Sequence, residues 1–232
     1  MSKVTSLCII PARGGSKRIK NKNIKKFFDK PIIGYSISAA KKSNCFDKII
    51  VSTDSKKIAN IAKKLGAEVP FLRDQRFATD KVSLRSAIKN TLEKFIKNFG
   101  KPKYVCYMTA TSPLIRISDI KQGIKNIKKK NIEISFSITE YDYPIQRSLE
   151  IIKTGRVKML NSKFRYSHSQ NLKKFYHDAG QFYCAKTDAI LNDIPTLSKH
   201  SYPVIIPNYR VVDIDNLNDW KRAEITYKFL KK

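Results

Sequence analysis

Apolar runs and amphipathic stretches alternate along most of the chain. Continuous or alternating apolar segments predict strands at 6–10, 48–51, 67–70, 104–108, 134–139, 179–185 and 204–206. Apolar residues at helical spacing predict helices at 32–42, 55–65, 82–95, 119–129 and 216–230. Gly66 stands where the second helix should end, and Ser118 is the predicted N-cap of the fourth.

The alternation of strands and helices predicts an α/β, Rossmann-like fold, a mostly parallel sheet with helices on both faces. No low-complexity linker interrupts the chain, which favours a single domain over 1–232. Residues 141–174 are polar, aromatic and irregular, and we expect them to form a small excursion from the sheet. Ligands of such sheets bind beyond the carboxyl ends of the strands, so the candidate functional segments are those that follow each strand.

A basic, glycine-containing loop follows the first predicted strand directly, in the sequence PARGGSKRIKNKN at 11–23. Paired glycines let backbone N–H groups approach an anion, and Arg13, Lys17 and Lys22 add positive charge. The loop has neither the Walker A pattern nor the dinucleotide-binding glycine pattern. We therefore predict a site for a nucleoside triphosphate; the alternative is a tight turn with exposed lysines.

Two carboxylates alternate with apolar residues near the C-terminus, in VVDID at 211–215. The alternation predicts a strand, in which Asp213 and Asp215 point to the same face. Paired carboxylates opposite a triphosphate are typical of a Mg²⁺ site. The alternative is a strand end with a helix cap supplied by Asp215 or Asn216.

The composition adds a strong positive charge to this picture. Lys and Arg number 47 against 19 Asp and Glu, a net charge of +28, while 41% hydrophobic residues suffice for a packed core. Such an excess suits phosphate backbones. However, 36 of the basic residues are lysines, spread along the chain, and few are the arginines that base recognition favours. We expect a solvated basic surface and no nucleic-acid partner.

The cysteines and the apolar runs indicate the cellular compartment in which the protein is expected. Four cysteines stand at 8, 45, 106 and 184 with no CxxC pair, and three of them lie inside predicted strands. They are expected to be buried, reduced thiols, as in a cytoplasmic protein. No run of 18 apolar residues occurs, so we expect no membrane association.

Several short motifs occur in the order found in one family. The basic loop, the VSTD motif at 51–54, FLR at 71–73 followed by Asp80, TSPL at 111–114 and the acidic pair resemble the CMP-sialic acid synthetase family. Together they span nearly the whole chain. The resemblance implies a fold of the nucleotide-diphospho-sugar transferase type, CTP as a substrate and Mg²⁺ as the cofactor. It also implies a homodimer in which the excursion 141–174 forms the dimer contact and lends sugar contacts.

The resemblance assigns roles within the nucleotide site. The residues expected to bind the nucleotide are Arg13, Gly14, Gly15, Ser16, Lys17, Lys22, Asn23, Arg73, Thr111 and Ser112. Asn23 is expected to contact the cytosine. The residues expected to be catalytic are Arg13, Lys17, Lys22, Asp213 and Asp215, of which the two aspartates hold the metal. Asp54 ends the VSTD motif of this resemblance, but it can also be interpreted as an N-cap partner of the following helix.

Two further motifs, YPIQR at 143–147 and HDAGQFY at 177–183, resemble the branch that makes CMP-pseudaminic acid. The residues expected to bind the sugar are Gln146, Arg147, His177, Asp178, Gln181 and Tyr183. The alternative interpretation of His177 is a surface histidine, and the alternative interpretation of Tyr183 is an aromatic residue of the core. Thr109 and Ala110 stand where the sialic acid enzymes usually have Gln-Pro, which argues against N-acetylneuraminate.

The expected reaction is transfer of CMP from CTP to the anomeric hydroxyl of a nine-carbon acidic 2-keto sugar, with release of pyrophosphate. Pseudaminic acid is the favoured sugar, and legionaminic and N-acetylneuraminic acids are the alternatives. A basic nucleic-acid-binding module that kept the fold is a remote alternative.

Overall fold

The structure is a computed structural model and describes residues 4–231. Its strands, in chain order, are β1 (Ser6–Pro11), β2 (Lys26–Phe27), β3 (Lys30–Pro31), β4 (Lys48–Ser52), β5 (Tyr104–Met108), β6 (Ile134–Glu140), β7 (Leu149–Ile151), β8 (Val157–Met159), β9 (Tyr176–Lys186) and β10 (Ser201–Ile205). Its α-helices are α1 (Ile33–Ser43), α2 (Lys56–Lys64), α3 (Leu84–Phe99), α4 (Ile117–Ile127), α5 (Thr187–Leu191) and α6 (Leu217–Lys231).

Six strands form the central sheet in the order β10-β6-β9-β5-β1-β4. The β1–β4, β1–β5 and β10–β6 pairs are parallel, whereas β9 runs antiparallel to both of its neighbours. Apolar clusters under α1, α2 and α4 cover one face, and clusters under α3 and α5 cover the other. The predicted α/β class, with a mostly parallel sheet and helices on both faces, is confirmed.

Side chains of the first strand alternate between the two faces, and both faces are buried. Cys8 and Ile10 lie under α1 and α2, while Leu7 and Ile9 lie under α3. This explains why the strand is apolar at every position from Leu7 to Ile10. The four cysteines are free, and Cys8, Cys106 and Cys184 are buried, as predicted. Burial raises the pKa of the Cys8 thiol well above its ordinary value.

Helix α4 approaches the sheet closely because it carries a glycine on its inner face. A Cβ on Gly123 would lie 2.8 Å from Cε2 of Phe182 and 3.0 Å from Sγ of Cys184, both in the buried strand β9. We expect Gly123→Ala to lower the free energy of unfolding by about 1–3 kcal/mol, because neither neighbour can move without repacking the core. Urea unfolding measures the loss. The control is Gly15→Ala, whose Cβ meets nothing within 4 Å, and equal stabilities for the two variants would contradict this expectation.

Three local predictions were wrong. The segment 67–70 forms only a bridge between Glu68 and Ile50, because Pro70 cannot extend a ladder. Helix α4 begins at Ile117, so its N-cap is Arg116 rather than Ser118. The segment 211–215 is extended but pairs with no described strand. Its alternation arises because Ile214 is buried beneath α6.

A third apolar cluster connects the basic loop after β1 to the acidic segment before α6. Ile19, from the loop after β1, packs with Phe27 of β2, Ile214 and Trp220 of α6. The rings of Phe27 and Trp220 meet edge to face, with centroids 5.5 Å apart. Through this cluster, the basic loop and the acidic segment are held beside each other although they lie at opposite ends of the chain.

The segment 141–174 leaves the central sheet and carries its own two-stranded hairpin, β7–β8. Among the described residues, no helix is long and apolar enough to cross a membrane.

Candidate functional site

A cavity of about 300 Å³ lies at the carboxyl ends of β1 and β5, where the basic loop faces helix α3. It brings together residues that are distant in sequence but were expected to bind the nucleotide: Arg13, Ser16, Lys17, Lys22, Asn23, Arg73 and Thr111. Asp215, which was expected to hold the metal, lines the same cavity. Gly14 and Gly15 belong to the same loop but do not line the cavity, and Ser112 is buried behind it. The position agrees with the rule that such sheets bind ligands at their carboxyl ends.

Two cations of the basic loop, Arg13 and Lys17, form ion pairs with the same acid, Asp80. The carboxylate of Asp80 pairs with the Arg13 guanidinium and lies 2.7 Å from Nζ of Lys17. The hydrogen bonds from Lys17 and Arg13 hold the pKa of Asp80 below its ordinary value. Asp80 thus places a negative charge where the resemblance expects phosphates, and a triphosphate would exchange with it.

Because Asp80 competes for these cations, we expect Asp80→Asn to bind CTP about fivefold more tightly in EDTA, a modest factor because the pair is solvent-exposed. Isothermal titration calorimetry measures the dissociation constant. Asp74→Asn is the matched control. Asp74 lies shortly before Asp80 in the chain but pairs with Lys94, and neither Asp74 nor Lys94 lines the cavity. Weaker binding by Asp80→Asn would show that the carboxylate contacts the nucleotide instead.

Asp54 fixes the conformation of the glycine turn. Its Oδ1 accepts a hydrogen bond of 2.9 Å from the backbone N–H of Gly14. A Cβ on Gly14 would also lie 3.1 Å from Cβ of Ser55. The N-cap of α2 is Ser55, whose hydroxyl accepts from the N–H of Ile58, so the helix-cap interpretation of Asp54 was wrong.

Arg73 and Asn23 reach the cavity from its buried side. The Arg73 guanidinium donates to the Ser52 hydroxyl at 3.0 Å and to the Ser52 carbonyl at 2.7 Å. Burial lowers the pKa of Arg73, although Asp54 opposes that effect. Asn23 donates its amide to the Arg13 carbonyl at 2.9 Å. Both side chains are therefore held in place by the end of β4 and by the basic loop.

The acidic pair lies at the rim of the cavity. Ile214 is buried between the two aspartates, so their carboxylates face away from the core. Asp215 is 3.0 Å from the Arg18 guanidinium and 3.3 Å from Nζ of Lys22, which also donates to the Ile214 carbonyl at 2.6 Å. Partial burial raises the pKa of Asp213, and the neighbouring Asp215 raises it further.

The cap of α6 is supplied by neighbours of this pair. The Asn216 side chain accepts from the N–H groups of Asn218 and Asp219, and Asp219 accepts in return from those of Asp215 and Asn216. The Asp215 carboxylate is left out of the cap, so only the Asn216 half of the helix-cap alternative is correct. No group of three or more His, Cys, Asp or Glu ligands occurs within 4–231.

A second cavity, of about 310 Å³, is lined by the other member of the acidic pair. Asp215 lines the first cavity and Asp213 lines the second, together with the predicted residues His177 and Asp178. Asp178 is firmly oriented, since it accepts from the Tyr183 hydroxyl at 2.6 Å and from the Gly180 N–H at 2.8 Å. The acidic pair therefore stands between two ligand-sized spaces.

The other residues expected to bind a sugar lie outside this cavity. Gln181 is buried and donates to the Arg210 carbonyl at 2.8 Å. Tyr183 stacks on Tyr107, with centroids 4.7 Å apart, and burial raises its pKa. Gln146 donates to the Lys173 carbonyl, and Arg147 donates to the Ser169 hydroxyl at 3.2 Å.

Several residues of the two cavities were not among the predicted site residues. In the first cavity they are Arg18, Phe77, Thr79, Asp80 and Ser83; in the second they are Thr139, Glu140, Asp142, Asn208 and Arg222. A signal existed for Asp80, which follows the FLR motif, and for Arg18 in the basic loop. None existed for Asn208 and Arg222, which the sequence placed in a turn and on a helix.

Comparison with known proteins supports this geometry. A pseudaminic acid cytidylyltransferase of Campylobacter jejuni (serotype O:23/36, strain 81-176) is 40% identical over 223 residues, covering 96% of both chains. A CMP-N,N'-diacetyllegionaminic acid synthase of Legionella pneumophila is 30% identical, covering 94% of both. The solved CMP:2-keto-3-deoxy-manno-octonic acid synthetase complexed with CTP has a TM-score of 0.70 at 13% identity, covering 97% of this chain and 99% of that one, and shows a shared fold.

The family model described as cytidylyltransferase matches residues 7–212. This match and the 40% identical relative confirm the resemblance inferred from the motifs and the expectation of a nucleotidyltransferase. The chain belongs to the cytidylyltransferase family.

Proposed function

We propose that this chain transfers CMP from CTP to the anomeric hydroxyl of pseudaminic acid, a nine-carbon 2-keto acid. The sugar oxygen attacks the α-phosphorus, an O–P bond forms, the bond to the β-phosphate oxygen breaks, and pyrophosphate leaves. The observation that carries the proposal is the position of Asp213 and Asp215 between the two cavities. The 40% identical pseudaminic acid cytidylyltransferase supports the choice of sugar.

The basic loop holds the triphosphate. Arg13 and Lys17 exchange Asp80 for phosphate oxygens, Ser16 lines the same cavity, and Lys22 of the same loop lines it and pairs with Asp215. Thr111 lines the base of the cavity, and Arg73 and Asn23 orient the nucleoside. Catalysis of phosphoryl transfer rests mostly on such positioning and on charge stabilisation.

The acidic pair fits Mg²⁺. Two carboxylates supply the oxygen ligands that this ion prefers. Partial desolvation, and after it the charge of Asp215, raise the pKa of Asp213, and a divalent cation beside the pair would offset both effects. Asp213 and Asp215 would hold the ion, and phosphate oxygens and water would complete its coordination. When bound, Mg²⁺ supplies charge neutralisation at the α-phosphate and lowers the pKa of the attacking hydroxyl.

The test is a CTP assay with a panel of acidic sugars. Pyrophosphate release and the mass of the CMP-sugar are measured with pseudaminic, legionaminic and N-acetylneuraminic acids. We expect turnover with pseudaminic acid to exceed that with the other two. Turnover with N-acetylneuraminate alone would overturn the choice of sugar. If no sugar is turned over and the protein binds nucleic acid with a steep salt dependence, the enzymatic proposal fails.

We further propose a homodimer formed through the excursion 141–174, in the cytoplasm. One face of the β7–β8 hairpin carries Leu149, Ile151 and Val157, which are 62%, 80% and 67% exposed. A contiguous apolar face of this kind favours a protein contact. Light scattering should give twice the chain mass for the wild type and a monomer for Ile151→Glu. Leu197→Glu is the control, because Leu197 is equally exposed but lies outside the excursion.

A further inference from the structure

The second cavity contains several acids, and most of them are already satisfied. Asp178 accepts from Tyr183 and Gly180, as described above, Glu140 pairs with Lys174 at 3.0 Å, and Asp142 accepts from Asn208. Asp213 also lines this cavity, whereas its neighbour Asp215 lines the nucleotide cavity. These pairs shape the wall of the cavity and leave one strong cation among the lining residues, Arg222.

Arg222 lies on the solvent side of α6. Trp220 and Ala223 of the same helix are buried in the third apolar cluster, and Arg222 projects to the other side. Among residues 4–231, its guanidinium makes no hydrogen bond and no ion pair within 4 Å. Its charge influences Asp219 of the same helix, with which it forms no close ion pair. An arginine without a close ion pair at the wall of a polar cavity can bind a carboxylate through two parallel hydrogen bonds.

The chemistry of the proposed reaction places a carboxylate in this cavity. In a 2-keto acid sugar, the carboxylate and the attacking anomeric hydroxyl are attached to the same carbon. The hydroxyl has to meet the α-phosphate beside Asp213 and Asp215, so the carboxylate has to lie in the space that Asp213 lines. Arg222 lines that space.

Arg147, the cation that the sequence motif suggested, lies elsewhere. It lines a neighbouring cavity with Tyr143 and Ser169, and it donates a hydrogen bond to the Ser169 hydroxyl. That cavity shares His177 and Asp142 with the second one but does not reach Asp213. Arg147 is therefore placed further from the reacting carbon than Arg222.

We propose that Arg222 binds the carboxylate of the acidic sugar and so selects 2-keto acid sugars over neutral ones. This proposal rests on the proposed function. In this position Arg222 acts on sugar binding and leaves the binding of CTP unchanged.

The test is steady-state kinetics of Arg222→Gln and Arg222→Lys with CTP and pseudaminic acid. We expect Arg222→Gln to raise the KM for the sugar about 10- to 100-fold, the usual effect of losing hydrogen bonds to a charged group, with the KM for CTP unchanged. Arg222→Lys should lose less. Free guanidinium should partly restore Arg222→Ala. Lys221→Gln is the matched control, since Lys221 is the adjacent exposed cation and lines neither cavity.

A substrate analogue separates binding of the carboxylate from a structural effect. With the sugar carboxylate reduced to an alcohol, the wild type and Arg222→Gln should react at the same low rate. Arg147→Gln should change the KM for the sugar much less than Arg222→Gln. The proposal is overturned if Arg222→Gln keeps the wild-type KM for the sugar, or if Arg147→Gln shows the loss instead. A wild type that turns over no acidic sugar would overturn the proposed function as well, so the two failures are distinguishable.

Discussion

Asp215→Asn is expected to lower kcat/KM for CMP transfer about 10²- to 10⁴-fold while the protein stays folded. Asp215 lines the nucleotide cavity and its neighbour Asp213 lines the second cavity, and in the proposed reaction charge develops on the α-phosphate beside them. Each factor of ten in rate corresponds to about 1.4 kcal/mol of activation free energy. Loss of several kcal/mol of charge stabilisation therefore slows the reaction by two to four factors of ten. Pyrophosphate release measures the activity, and a thermal melt verifies the fold.

A matched control is available on the surface. Asp188 is an exposed acid that pairs with Lys101 on the far side of the sheet, and Asp188→Asn should retain full activity. Asp213→Asn should be as inactive as Asp215→Asn, because the two carboxylates act on one charge. Near-normal kcat in Asp215→Asn would remove the acidic pair from the mechanism.

Arg210→Met is expected to lower the free energy of unfolding by about 3–5 kcal/mol. Arg210 and Asp119 form a buried ion pair, with distances of 2.7 and 3.4 Å between their paired atoms and side chains only 5% and 12% exposed. Removing the arginine leaves the Asp119 carboxylate buried without a partner, which is the costly case. For a chain of this length, the melting temperature should fall by about 10 °C.

The double variant Arg210→Met/Asp119→Leu tests the cause. Removing both charges should recover most of the stability, because no unpaired charge remains. Lys101→Met is the control for an exposed ion pair and should cost about 0.5 kcal/mol or less. If Arg210→Met is as stable as Lys101→Met, the buried pair does not anchor the segment before Asp213.

The basic loop could be predicted from sequence because its signals are local. Two glycines and five basic residues follow a strand that is apolar from Leu7 to Ile10, and the carboxyl end of such a strand is where ligands bind. The Asp80 contact with Arg13 and Lys17 had no such signal, because 67 and 63 residues separate the partners and only the fold brings them together.

The HDAGQFY motif shows why the second cavity was harder to predict. In a regular strand, side chains alternate, so residues 177, 179, 181 and 183 would share one face. In β9 the register shifts between its pairings with Ile138 and Phe136, and Gly180 adopts a positive φ of 65°. After this irregularity Gln181 points to Arg210 and Tyr183 stacks on Tyr107, while His177 and Asp178 face the cavity.

The structure of the acidic segment was predicted only in part. Its alternation correctly separates Asp213 and Asp215 from Ile214, but the segment pairs with no described strand. Burial of one residue in three is enough to orient the carboxylates, and this burial depends on α6 and Phe27 rather than on a sheet.

By itself, the sequence determined the alternation of strands and helices, the basic and glycine-containing character of the loop after β1, and the identity of the acidic pair. These features rest on hydrophobic periodicity and on residues that are neighbours in the chain. Only the tertiary structure decided that Asp80 occupies the cations, that Lys22 holds Asp215 across 193 residues, and that Arg222 rather than Arg147 shares a cavity with Asp213. Those contacts join distant segments, and their geometry follows from the packing of α6 against the basic loop, which no local pattern encodes.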